Sequence, residues 1–163
     1  MTTLDTIVAT SLADRYTELA ALVQQMAESL SEEQFWQKPF DFGNSFGHLV
    51  LHLTGNLNYY IGSEIAQSGY VRDRPREFTE TARPPKQEVM KRFADAARMV
   101  DATIRSQKQD DWGKTYSAKG EEDAANRFTL LLRCATHLHH HVGQMMYLKN
   151  QVERGQPSNL IAD

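Results

Sequence analysis

Residues 128–148 read FTLLLRCATHLHHHVGQMMYL, and the fold turns on this stretch. Phe128, Leu131, Leu132, Ala135, Leu138, Met145 and Leu148 recur at helical spacing, so the stretch is an amphipathic helix continuing to about Glu153. Four of the chain's six histidines sit inside it. Positions i and i+4 share a helix face, so His137 and His141 project together, with Leu130 and Cys134 on the same stripe. His140 lies three residues from His137, at the edge of that face. His139 is turned away by about 200°. Gly155 and Pro157 follow as terminators.

The other two histidines, His48 and His52, are one turn apart in a second helical segment. It starts near Asn44 and Ser45, either of which can cap it. Its apolar face runs through Phe46, Leu49, Val50, Leu53, Leu57, Tyr60 and Ile61, and Gly69 is its expected end. Ahead of it, residues 3–30 carry Leu4, Ile7, Val8, Leu12, Tyr16, Leu19, Val23, Met26 and Leu30 at spacings of three or four. Ser31-Glu32-Glu33-Gln34 reads as a cap and a short turn of helix stopped by Pro39. A further helix opens at Pro84-Pro85 and continues through Val89, Met90, Phe93, Ala97, Val100 and Ile104. Residues 106–120 are polar, with Trp112 and Tyr116 as anchors, and Glu121, Glu122 and Asp123 lead into the last helix. No segment alternates like a strand. The expected fold is all-α, a four-helix bundle with a long crossover between its second and third helices, as one domain over residues 1–163.

That connection, residues 68–85, has no apolar period and holds Arg72, Arg74, Arg76, Arg83 and Lys86 against Asp73, Glu77 and Glu80. A solvated loop is the expectation, with steering of an anionic substrate as the rival. Connections of this length are unusual in a compact domain.

Composition removes several classes. The length of 163 residues suits one domain, and a single cysteine excludes an internal disulfide scaffold and paired CxxC zinc modules. Two Trp, six Tyr and seven Phe argue against disorder. A net charge of −3 gives no electrostatic case for nucleic acid. The N-terminus has no secretory pattern and no run spans a membrane, so a cytoplasmic protein is expected.

Neutral imidazole is the commonest metal ligand. Two histidines from one helix and one from a facing helix bring three nitrogens together and leave a coordination position open. There is no HExxH, since Leu138 follows His137, and no ExxH of the di-iron bundles. Cys134 is either a fourth ligand or, as free cysteine usually is, a small core residue. Gln144 either hydrogen-bonds a ligand or packs between helices. Tyr59 and Tyr60 either wall a pocket or belong to the core. No general base can be chosen among 21 acidic residues.

Residues 45–53 (SFGHLVLHL) and 137–144 (HLHHHVGQ) together resemble the second- and fourth-helix motifs of the DinB/YfiT-like superfamily. There a Ser and then a His open the second helix, and a His, three residues and His-x-Gly-Gln mark the fourth. The resemblance implies metal ligands at His52, His137 and His141. It leaves His48 beside the metal or on the substrate side, where helical spacing also puts His140, Gln144 and Cys134 as candidates. It also implies a homodimeric four-helix bundle with zinc or nickel near one end. Characterised relatives include bacillithiol transferases and a mycothiol-dependent maleylpyruvate isomerase. The reading is thus a metal-dependent enzyme that activates a low-molecular-weight thiol or water toward a small-molecule substrate, with no nucleic-acid or membrane partner. The alternatives are a metal-binding or stress-associated bundle without turnover, and a plain dimerisation module.

Overall fold

Residues 4–28 form α1 (Leu4–Glu28) because Ala13, Tyr16, Leu19, Ala20, Val23, Met26 and Ala27 recur on one face and are buried there. The computed structural model describes residues 3–154. Within them follow α2 (Glu32–Trp36), α3 (Phe46–Leu57) with a π-helical extension (Asn58–Ser63), α4 (Arg74–Thr79), α5 (Lys86–Arg105), α6 (Gln109–Trp112) and α7 (Arg127–Arg154). No strand occurs among the described residues, so the fold is all-α.

The four long helices close a ring around one core. Helix α1 packs on α5 and α7, and α3 packs on the same two from the other side. The long connection, residues 64–85, joins neighbours in this ring, so it is not the crossover expected between the second and third helices. Residues 29–45 and 106–126 instead lead to a diagonal partner. Phe35, Phe46, Phe93, Leu19, Leu53, Leu57, Ile61, Ile104, Leu130 and Leu131 fill the centre. The buried Tyr16 hydroxyl reaches across it and donates to the Leu131 carbonyl at 2.7 Å.

Local chemistry sets the helix ends. Ser31 and Gln34 make the reciprocal capping box expected from the sequence. The Ser45 hydroxyl accepts from the His48 N–H and caps α3. Helix α3 is buried on nearly every side, which suits a helix apolar almost all round. The α-helical part of the second segment stops at Leu57, well before Gly69. A wider π turn takes over and runs into turns, and no residue type announces such a turn in the sequence.

Two further expectations change. The acidic run at 121–123 does not start α7. Helix α7 begins at Arg127, with Asn126 Oδ1 accepting from the Thr129 N–H. Glu121 and Asp123 instead pair with Arg133 at 2.9 and 2.6 Å, because the guanidinium one to two turns into the helix is the stronger partner. The connection at 68–85 is not simply a solvated loop. Asp73 caps α4, Pro75 sits in its first turn, and α4 presses against α3. The terminators at Gly155 and Pro157 lie outside the described residues.

Candidate metal centre

Three imidazoles meet where α3 faces α7. One nitrogen each from His52, His137 and His141 lies within 4.8 Å of the others. His52 Nε2 is 2.9 Å from His137 Nε2, and the His137 and His141 ring centres are 4.4 Å apart. Three nitrogens bonded to one tetrahedral ion at 2.0–2.1 Å stand about 3.4 Å apart, so the observed spacing brackets that geometry.

Outer partners orient the rings. Glu77, from α4, accepts from His52 Nδ1 at 2.9 Å. A carboxylate only accepts, so the proton sits on Nδ1 and the Nε2 lone pair faces the cluster. Gln144 Oε1 accepts from His141 Nδ1 at 2.7 Å, which frees His141 Nε2 in the same way. The Gln144 amide then donates to His140 Nε2 at 3.0 Å. Outer acceptors of this kind fix the tautomer of metal-binding histidines and raise their basicity.

Glu77 is buried, and burial alone would raise its pKa. The hydrogen bonds from His52 and Arg72, with the Arg72 charge, outweigh that and hold the carboxyl below its usual range. Arg72 grips both carboxylate oxygens, at 2.6 and 2.8 Å, and is itself shielded from water. Gly55 makes the approach possible. A Cβ there would collide with Glu77 Oε1 and stand 2.8 Å from Glu77 Cδ. Sequence reasoning had not singled out Glu77. Its only signal was the Asp73 cap and Pro75 ahead of it, which mark a helix start but not what the helix faces.

His137 and His141 stay neutral. Burial, reinforced by the neighbouring histidines, lowers His137 to about 3. Burial lowers His141 to about 4, against the opposing bond to Gln144. The sign of the stability effect follows. Below about pH 6.5 the unfolded chain binds protons on these rings and the folded chain does not, so stability falls with falling pH. Chelator-treated protein is therefore expected to be less stable at pH 5 than at pH 7. Urea melts at pH 7 and pH 5 read this above the main carboxylate range, and equal midpoints would contradict it.

The remaining candidates differ in how near they come to the cluster. His48 is not at the cluster. Its Nδ1 meets the Ser45 hydroxyl at 2.7 Å, its Nε2 meets the Glu80 carbonyl at 3.1 Å, and its ring packs edge-on against Trp36. A carbonyl only accepts, so His48 donates through Nε2 and ties the end of α4 to α3. Cys134 is buried in the core, burial pushes its thiol up to about 12, and it also lines the cavity beside His52 and His137. His139 and His140 are exposed.

Beside His52 and His137 opens a cavity of about 890 Å³. Tyr59, Tyr60 and Tyr70 form much of its wall, and Arg72, Arg74, Lys119 and Arg133 supply its cations. Tyr60 is thus both core and wall. Its hydroxyl donates to the Lys119 carbonyl at 3.2 Å, while Tyr116 donates to the Tyr60 carbonyl at 3.0 Å, which pins the 113–126 loop over the site. No helix of the described residues is long and apolar enough to cross a membrane. The chain matches the family model described as DinB superfamily over residues 15–145. No curated protein matches the chain in sequence.

Proposed function

Because the chain belongs to the DinB superfamily, we propose that it is a metal-dependent enzyme acting on a small molecule, with His52, His137 and His141 holding a divalent ion. The observation that carries this reading is the donor set itself. Three imidazoles converge at one point, and two have their outer nitrogens engaged by Glu77 and Gln144. That is a set suited to zinc or nickel. Such an ion supplies a Lewis acid with an open position and favours the deprotonated form of a thiol or water.

The chain's own residues do the rest. Glu77 and Gln144 keep the imidazole protons on the outer side, and Arg72 holds Glu77 ionised and in place. The tyrosines of the cavity limit water around a bound substrate, and Arg74 and Lys119 attract an anionic one. The reaction is S-transfer from a low-molecular-weight thiol to an electrophile, or hydrolysis. Exposed apolar side chains on α1 and α7, among them Leu4, Ile7, Leu132 and Met146, support a homodimer. The lone cysteine suits a reducing cytoplasm.

The test is a panel of low-molecular-weight thiols with an aryl halide, and of activated esters with water. Turnover by the zinc- or nickel-loaded protein is expected, and is expected to vanish in His141→Ala. No turnover with any thiol or ester would leave a metal-binding bundle without catalysis.

A further inference from the structure

Tyr60 holds the 113–126 loop at two points, and the π turn after α3 creates one of them. In that turn the next backbone donors, Glu64 and Ile65, reach the Tyr59 and Ile61 carbonyls at 3.2 and 3.1 Å. The Tyr60 carbonyl between them takes the Tyr116 hydroxyl at 3.0 Å. At its other end Tyr60 donates its own hydroxyl to the Lys119 carbonyl at 3.2 Å. Gly120 lets the loop come this close. Its φ is +92°, and a Cβ there would stand 2.7 Å from the Tyr60 hydroxyl oxygen.

Beyond Tyr116 the loop has little else to hold it. Its base is closed by the Thr115–Asn126 bridge and by the Arg127 N–H on the Lys114 carbonyl at 3.0 Å. Within residues 117–125 the buried side chains are two alanines, Ala118 and Ala124, which carry little apolar area. The backbone bonds of this span, Glu121 to Ala118 and Ala124 to Glu121, are internal to it and survive if it swings away. Its ion pairs with Arg133 lie at the surface, where salt screens them. A segment with so few buried apolar contacts opens at lower cost than the core. Lys119, Gly120 and Glu121 form one wall of the cavity that also holds His52, His137 and Cys134. Cys134 is 3% exposed, and after burial it is the Glu121 charge that raises its thiol, so the span lies close against it. We propose that residues 117–125 are a lid on the metal cavity, hinged at the Thr115–Asn126 bridge and latched by the Tyr60 hydroxyl. The lid swings out as a unit to admit a small molecule and closes over it. This goes beyond the proposed function and rests on it only for the ion inside the cavity.

Cys134 is the chain's single cysteine, so its labelling by the neutral disulfide reagent dithiodipyridine reports on the lid without ambiguity. Chelator-treated protein is used, which keeps the result independent of the metal reading. In the native chain the rate is expected to be proportional to reagent and almost flat in low urea, because a local opening exposes little surface, and to climb only near the global transition. Tyr60→Phe is expected to label about three- to tenfold faster in the flat range, the worth of one hydrogen bond. Gly120→Ala is expected to label at least about tenfold faster, through the collision with Tyr60 and the left-handed backbone. The strain is released when the lid opens, so the rest of the chain still folds. The double variant should fall short of the product of the two factors, because phenylalanine removes the oxygen that the new Cβ would strike. Two side chains that merely stabilise the fold would not couple in this way. Labelling that climbs with urea from zero, as steeply as global unfolding, would overturn the lid, as would native rates in both single variants. A double variant at the full product would overturn Tyr60 as its latch. If neither variant folds, the urea series on the native chain still decides.

Discussion

His137→Ala is expected to abolish tight binding of zinc or nickel while leaving the protein folded. The three nitrogens lie within 4.8 Å of one another, and the rings form a triangle, with His52 on α3 opposite His137 and His141, which are one turn apart on α7. Removing it leaves two donors on different helices. Loss of an outer partner alone weakens metal binding by about 10–100-fold, so loss of a direct donor should exceed about 100-fold. The ring is half-buried at the edge of the cavity rather than packed in the core, so its removal opens space that water can enter. His139→Ala is the matched control, because His139 is exposed on the other side of α7. Competition with a chelator, on protein prepared without a histidine tag, measures both. Equal affinity in the two variants would refute the three-histidine centre, as would less than about 0.1 metal per native chain after titration.

Glu77→Ala is expected to produce the largest loss of stability. Arg72 and Glu77 are both shielded from water, with side chains 8% and 7% exposed. Deleting the carboxylate leaves a buried guanidinium without its bidentate partner, and breaking a buried pair from one side costs about 3–5 kcal/mol. The same change frees His52 Nδ1 and should weaken metal binding by about 10–100-fold. Urea denaturation with and without metal separates the two effects. Replacing Arg72 and Glu77 together should cost less than the two single changes added, since neither charge is then stranded. A loss below about 1 kcal/mol in Glu77→Ala would mean that water reaches the pair and that α4 does not hold His52.

The reason Glu77 escaped the sequence reading is physical. Periodicity finds an element by its apolar stripe, and α4 has six residues and buries a carboxylate rather than a stripe. An ion pair buried against a helix has the same composition as one in solvent. The π turn after Leu57 is invisible for a related reason, because it changes which carbonyl each N–H meets without requiring a particular residue. Ser31 with Gln34, by contrast, was legible because a capping box is a contact between residues three apart.

What the sequence alone determined is therefore what lies within one helix. It set the all-α class, the apolar faces of the four long helices, and the placing of His137 with His141 on one side of α7 and of His48 with His52 one turn apart on α3. These follow from 3.6 residues per turn and need no partner. Spacing alone left His48 and His52 equivalent, with only the family resemblance favouring His52. The tertiary structure separated them. His48 is consumed by Ser45, the Glu80 carbonyl and Trp36, while His52 meets Glu77 across 25 residues of chain and His137 across 85. Contacts over such separations depend on how α3, α4 and α7 pack against one another, and no local period encodes a crossing angle.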